Sequence, residues 1–335
     1  MNNEEKKLPV RDVRLVSTGS FVPSRVLTNQ DLEKMVDTSD EWILTRTGIK
    51  ERRIAEPNQA ASDLAEPAAR RALQRAGIDP KDLDAIIVAS VTGDHWFPST
   101  ACLLQARLGP SKAFCFDVMA GCSGFLYACQ TARGLIASHV AETILVVGVE
   151  MLTKITDWQD RQTCILFGDA AGAAVLRPGD EKHRILGLYL GADGTNAGLI
   201  EQPAGGSRLP ITPEVLEQRQ QYIHMKGNEV FRLGVRGMEV VCRTVLQSTG
   251  ISGEEITLLI PHQANMRIIE ATAKRLNIPP ERVYCNIHKY GNTSSASVPL
   301  AFDEALAEGR VREGDLVLMV VFGAGLTWGA SLIRW

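Results

Sequence analysis

No run of about 18 consecutive apolar residues occurs in the 335-residue chain, so a membrane span is not expected. An excess of one charge is missing too. The chain has 36 Lys and Arg against 39 Asp and Glu, a formal net charge of −3, which offers no basis for a nucleic-acid partner. The opening segment, MNNEEKKLPV, contains no apolar core, so no secretory leader is expected and the chain is expected in the cytoplasm. No C-x-x-C pair occurs among the seven cysteines at 102, 115, 122, 129, 164, 242 and 285. That argues against a disulfide framework and a tetrahedral zinc site, and no metal site is expected. Most of these cysteines are expected to be small buried hydrophobes.

Nucleotide motifs are also lacking. GAGLTWG (323–329) has the look of a dinucleotide loop, but only six residues follow it, too few for a βαβ unit. GADGTNAG (191–198) lacks the Lys-Ser/Thr of a phosphate-binding loop.

What the chain does contain is 45% apolar residues and an internal repeat. ALQRAGI (72–78) matches VLQSTGI (245–251) at an offset of 173, through Leu73, Gln74, Gly77 and Ile78 against Leu246, Gln247, Gly250 and Ile251. The same offset carries DLDAIIV (82–88) onto EITLLIP (255–261) and ILVVGVE (144–150) onto VLMVVFG (317–323). FGDAAGAAVLR (167–177) echoes FGAGLTWGASLIR (322–334). Each copy alternates helices with continuous apolar strands, the pattern of parallel βαβ units covered on both faces. A duplicated α/β fold is expected, with the chemistry between its halves. Residues 151–166 have no counterpart in the second copy, and 191–221 read as an irregular loop.

Within MAGCSGFLYA (119–128), Cys122 stands between Gly121 and Gly124 where a strand, 113–118, gives way to a helix. Cys115, Cys122 and Cys129 therefore fall on a strand, a turn and a helix, not on one helix face. The glycines allow a strained turn, and the helix start offers unpaired N–H groups and a positive dipole end. A thiol there is expected to have its pKa lowered from about 8.5 towards neutrality, and the N–H groups could hold an oxyanion. Of six histidines, His262 in IPHQAN (260–265) follows a strand end, where open α/β sheets place ligands. Asn292 lies in YGNTSSAS (290–297), the second-copy counterpart of the cysteine corner.

Together these segments resemble the β-ketoacyl-(acyl-carrier-protein) synthase III family, condensing enzymes of the thiolase superfamily. The resemblance spans essentially the whole chain. It is carried by DTSDEWILTRTGI (37–49), DVMAGCSGF (117–125), ILFGDAAGAAVL (165–176), MKGNEVFRLGV (225–235), PHQANMRII (261–269), GNTSSASVPLA (291–301) and FGAGLTWG (322–329).

The resemblance implies a thiolase-like, internally duplicated, five-layered αβαβα fold with halves at 9–180 and 181–335. It implies a catalytic Cys122, His262 and Asn292, a family in which asparagine marks the initiating branch. It implies an acyl group passed from acyl-CoA to Cys122, then condensation with malonyl-acyl-carrier-protein, with no cofactor beyond the CoA thioester substrates. Trp42, Arg46, Arg161 and Asn265 match CoA contacts, Phe97 an acyl-pocket residue reaching across a homodimer, and the N–H groups of Cys122 and Ala324 an oxyanion hole. Arg232, Arg267, Lys274 and Arg275 match basic positions that meet the carrier protein.

Read without the family, Trp42 is a partly buried aromatic after a Thr38-x-x-Glu41 capping box, and Arg267 and Lys274 share a solvated helix face. The chain departs from the family pattern in having Gly121 before the cysteine and Ala324 where many relatives have a third glycine. A papain-like hydrolase shares the order Cys, His, Asn but not the duplication. A non-catalytic thiolase-fold protein would not be expected to keep all three residues. A condensing enzyme of polyketide or quinolone assembly remains open, as does the primer.

Overall fold

Each apolar run of the repeat forms a strand in a computed structural model that describes residues 9–109, 112–179 and 182–335. The opening segment read for a leader therefore lies largely outside the described residues, as does the dividing point at 180 and 181. The first copy contributes β1 (Val13–Phe21), β2 (Ala85–Ala89), β3 (Phe114–Val118), β4 (Ile144–Met151) and β5 (Asp169–Pro178). The second contributes β6 (Arg184–Ala192), β7 (Leu258–Pro261), β8 (Leu316–Gly323) and β9 (Thr327–Arg334).

Their spatial order is β7-β8-β9-β6-β1-β5-β4-β2-β3, one copy reversed against the other about the β6–β1 seam. That seam is thin: Arg14 pairs with Arg184, and the Leu15 N–H donates to the His183 carbonyl at 2.9 Å. Pairing is parallel among β4, β2 and β3 and between β7 and β8, as the βαβ reading requires. It is antiparallel for β5 and β9 on their neighbours, so the sheet is mixed. In place of a β3 equivalent, the second copy makes a single bridge, Val283 to Leu259.

Five layers follow from how alternate strand residues face. Ile87 and Val146 of the first copy, and Ile260 and Met319 of the second, meet in one core around helices α3 (Gly124–Ala137) and α6 (Ser297–Ala307). The alternate residues Ile86, Val88 and Leu145 pack outward on α1 (Ala61–Ala76) and α2 (Thr100–Leu108). Leu259, Leu318 and Val320 pack outward on α4 (Gly227–Thr249) and α5 (Met266–Arg275). The repeated Leu-Gln-x-x-Gly-Ile is a helix terminator used twice. Gly77 and Gly250 take φ of 64° and 68°, and the N–H groups of Ile78 and Ile251 return to the carbonyls of Leu73 and Leu246.

Several local expectations change. Only Cys129, Cys164 and Cys242 are buried; Cys115, Cys122 and Cys285 are partly covered, and Cys102, on the outer side of α2, is exposed. The loop 191–221 carries a 3-10 segment (Gly194–Leu199) and a short helix (Pro213–Glu217). Among the described residues, no helix is long and apolar enough to cross a membrane, and no cluster of three His, Cys, Asp or Glu residues is placed to hold a metal.

Candidate active site

The cysteine corner is built from β3, a 3-10 turn over Gly121–Ser123, and α3. Gly121 takes φ of 53°, the left-handed region, which makes the reversal out of β3 possible. Gly124 serves differently from the sequence reading. It is helical at φ −51°, and a Cβ there would lie 3.1 Å from the Ala89 Cβ and 3.4 Å from the Ser295 Cβ, so it is small to let the corner pack. Cys122 thus precedes the α-helix proper.

Its thiol is not lowered. Cys122 is partly open to a cavity, yet surrounded closely enough that burial pushes its pKa up to about 11. The Ser294 hydroxyl opposes this, the Glu150 carboxylate adds to it, and the N–H groups of Cys122 and Ala324 also pull downward. Desolvation outweighs the helix start.

The facing turn repeats this corner at the offset of 173. Ser294, the counterpart of Gly121, takes φ of 47°, a 3-10 turn spans Ser294–Ala296, and α6 begins at Ser297. Asn292 is held on three sides. Its N–H donates to the Leu166 carbonyl at 2.8 Å, its own carbonyl accepts from the Gly168 N–H at 3.0 Å, and its Oδ1 accepts from the Ser294 N–H at 2.9 Å. The side-chain Nδ2 has no partner among the described residues and is the donor left over.

His262 directly follows β7 and is buried. Its Nδ1 lies 2.6 Å from the Ser297 Oγ, and its Nε2 has no partner among the described residues. Burial lowers the ring pKa to about 3, so the imidazole is neutral near pH 7. Asn292 is tied to the turn that carries Ser294, and His262 to the first residue of α6 that follows it. His262 and Asn292 are not among the residues that line the cavity beside Cys122.

The cavity holds about 510 Å³ and is lined by Cys122, Ser294 and Ala324 and by the apolar Leu152, Phe167 and Ile200. Trp96 lines it and is 77% exposed. Phe97, 86% exposed, does not reach the cavity of its own chain.

Trp42, Arg46, Arg161 and Asn265 come together at the surface. The guanidinium carbons of Arg46 and Arg161 lie 4.8 and 5.3 Å from the Trp42 ring centre, and Arg161 donates to the Asp37 carbonyl at 3.0 Å. Asn265 caps α5 and donates through Nδ2 to the Arg46 carbonyl at 3.1 Å. The helix bearing Trp42, Asp40–Thr47, is capped by Ser39, which accepts from the Trp42 N–H at 3.1 Å; the expected cap at Thr38 falls one residue early.

The basic set is uneven. Arg232, Arg267 and Lys274 are exposed, Arg267 lying 5.6 Å from the Phe231 ring centre. Arg275 pairs with Glu239 at 2.6 Å, which offsets its charge.

Two family models match: 3-oxoacyl-(acyl-carrier-protein) synthase III over residues 116–194, and its C-terminal part over 246–335. The β-ketoacyl-(acyl-carrier-protein) synthase III of Caldanaerobacter subterraneus subsp. tengcongensis is 54% identical, covering 96% of this chain and 97% of that protein. This chain belongs to the synthase III family. The family's enzyme from Symbiobacterium thermophilum is 53% identical over 98% of this chain and 99% of its own length. The crystal structure of the Aquifex aeolicus synthase III superposes with a TM-score of 0.90 at 49% identity, covering 96% of this chain and all of that one.

Reading the sequence alone did not single out Ser294, Ser297, Glu150, Thr327 or Trp96. The repeat held a signal for Ser294, since it is Gly121 plus 173. The same offset carries Gly124 onto Ser297; Glu150 and Thr327 reveal themselves only through contacts between distant segments, and Trp96 through the cavity it lines.

Proposed function

We propose that Cys122, His262 and Asn292 carry out the condensation, with the N–H groups of Cys122 and Ala324 as the oxyanion hole. The chain is an initiating condensing enzyme of type II fatty acid synthesis. It joins an acyl-CoA primer to malonyl-acyl-carrier-protein and releases 3-oxoacyl-acyl-carrier-protein, CO2 and CoA. Its closeness to synthase III relatives favours this reading over a polyketide or quinolone branch. The observation that carries the site assignment is the meeting of the two pseudosymmetric turns, which sets the Cys122 thiol beside Ser294 and Ala324 on one cavity wall.

In the first step the Cys122 sulfur bonds to the acyl carbonyl carbon, the carbon–sulfur bond to CoA breaks, and the thiol proton ends on the departing CoA. The tetrahedral oxyanion is held by the two N–H groups. In the second step malonyl thioester loses CO2. The electron pair from the broken carbon–carbon bond spreads onto the thioester oxygen, where the Nε2–H of His262 and Nδ2–H of Asn292 donate. The resulting carbanion attacks the acyl-Cys122 carbonyl, and the cysteine thiolate leaves.

A neutral His262 suits this donor role. In this reading the Ser297 hydroxyl, which the Gln263 N–H approaches at 3.5 Å, donates to Nδ1, and the ring proton rests on Nε2. Each step is an acyl transfer or a decarboxylation, so the scheme draws on no cofactor.

Trp42, Arg46, Arg161 and Asn265 form the CoA site in this reading, with adenine taking a place against Trp42. Arg232, Arg267 and Lys274 receive the acidic carrier protein, with Arg275 secondary. The protein works in the cytoplasm as a homodimer. Trp96, Phe97 and Met119 expose 77%, 86% and 70% of their surface, an apolar group suited to a second copy.

The test is to map the label left by radiolabelled acyl-CoA. Label is expected on Cys122 alone. Label surviving in Cys122→Ala, or found on the exposed Cys102, would overturn the assignment.

A further inference from the structure

Thr327 opens β9, just past the turn that carries Ala324. Its Oγ1 lies 2.9 Å from the Ala120 carbonyl oxygen and 3.0 Å from the Ala324 carbonyl oxygen, so one hydroxyl proton is shared between two turns. These are the turns whose N–H groups, from Cys122 and Ala324, act on the Cys122 sulfur. The Ala120 carbonyl also accepts from the Ser123 N–H, whereas the Ala324 carbonyl has no other donor among the described residues.

The turns touch where side chains are missing. A Cβ on Gly323 would fall 2.5 Å from the Cys122 nitrogen. A Cβ on Gly121 would fall 2.8 Å from the Ala324 nitrogen and 3.2 Å from its Cβ. The two departures from the family pattern, Gly121 and Ala324, are therefore one contact: the methyl of Ala324 sits against the place a methyl at 121 would need.

We infer that Thr327 is a positioning residue for the oxyanion hole, tying the Cys122 turn to the Ala324 turn across the Gly121–Ala324 contact. This rests on the proposed reading of Cys122 as nucleophile and of the two N–H groups as oxyanion donors. An oxyanion hole works by holding its donors where charge will develop, so that none has to reorganise during the reaction. Cys122 and Ala324 are 202 residues apart in the chain, and local backbone geometry cannot fix their separation. The Thr327 hydroxyl bonds to both sides of the gap and carries out that task without touching substrate.

The test compares two reactions of the same sulfur. Acyl transfer from acyl-CoA passes through an oxyanion; alkylation by iodoacetamide displaces iodide and forms none. Thr327→Val keeps the shape and removes the hydroxyl. It is expected to slow acyl transfer by about tenfold or more, as a partial loss of oxyanion support, with KM for acyl-CoA and the alkylation rate at Cys122 within about twofold of the parent. Thr327→Ser is expected to recover most of the loss.

Acyl transfer at the parent rate in Thr327→Val overturns the inference. So does an equal loss of alkylation, since the hydroxyl would then act on the thiol. If Thr327→Val does not fold, Thr327→Ala, which also lacks the hydroxyl, serves instead and is read against the same two outcomes. Should Cys122→Ala still accept the acyl label, the underlying site reading fails, whatever Thr327 does.

Discussion

The Nδ1 of His262 lies 2.6 Å from the Oγ of Ser297, the residue that opens α6. In the proposed scheme the Ser297 hydroxyl donates in that contact and leaves the ring proton on Nε2. In Ser297→Ala the ring is free to protonate on Nδ1 and lose its donor at Nε2. Condensation is expected to fall on the order of tenfold or more, as when a catalytic imidazole is left in the wrong tautomer, while acyl-enzyme formation measured by mass spectrometry holds. An equal fall in both would place Ser297 on the thiol side of the chemistry.

His262→Ala and Asn292→Ala are expected to separate the half-reactions. Each removes a donor to the developing enolate, a loss that typically costs about 10²–10³ in rate. Condensation should drop by at least about a hundredfold, and measurable acyl transfer should remain. Because both donors serve one oxygen, the double variant is expected to lose less than the product of the single losses. If either single variant loses acylation in the same proportion, that residue activates Cys122 instead.

The raised thiol pKa has a direct signature. With Cys122 pushed up to about 11 by burial, its thiolate fraction grows across the whole neutral range. Alkylation of Cys122 in the free protein, mapped by peptide to separate it from the exposed Cys102, is expected to rise about tenfold per pH unit from about pH 7 to 9 without levelling off. A plateau below pH 8 would mean that the helix start prevails over burial after all.

Stability carries a second pH dependence, from His262. Its pKa is lowered to about 3 in the folded chain from an ordinary 6.5, so the unfolded chain binds the proton more readily between those values. Stability is therefore expected to be highest above about pH 6.5 and to decline as pH falls towards about 3. A melting-temperature series should show a shallower acid decline in His262→Asn, which has no ring to charge. Parallel declines would remove His262 as a cause.

Sedimentation at micromolar concentration is expected to give a dimer, because Trp96, Phe97 and Met119 leave an apolar patch beside the cavity. Phe97→Ala should extend primer use towards longer or branched acyl-CoA. An active monomer would refute the first expectation, and an unchanged primer profile the second.

The fold was largely legible in the chain because its cues are local. Runs such as ILVVGVE bury both faces and can only be central strands, and the twice-used Leu-Gln-x-x-Gly-Ile is a cap whose geometry depends on one glycine. Repetition of those cues at 173 residues exposed the duplication, and with it the pairing of the Cys122 corner with the Asn292 turn. The places of Cys122, His262 and Asn292 in the fold were legible for the same reason: each sits at a strand or helix end marked by its neighbours, and their roles stand as proposed.

What the chain could not show is anything set by the surroundings that other segments create. Whether the Cys122 pKa rises or falls depends on how far burial in the folded chain outweighs the hydrogen bonds from the Ser294 hydroxyl and the Ala324 N–H, with the Glu150 carboxylate adding to the rise, and all three residues are distant in sequence. The helix start was visible and the desolvation was not, and desolvation is the larger effect. The same holds for His262 and Ser297, 35 residues apart, and for Thr327, whose hydroxyl meets Ala120 across 207 residues. The amino-acid sequence alone determined which groups are present and which elements carry them. Only the tertiary structure decided their charge, their hydrogen-bond partners and their spacing, because those depend on dielectric and contact between parts of the chain that no local pattern brings together.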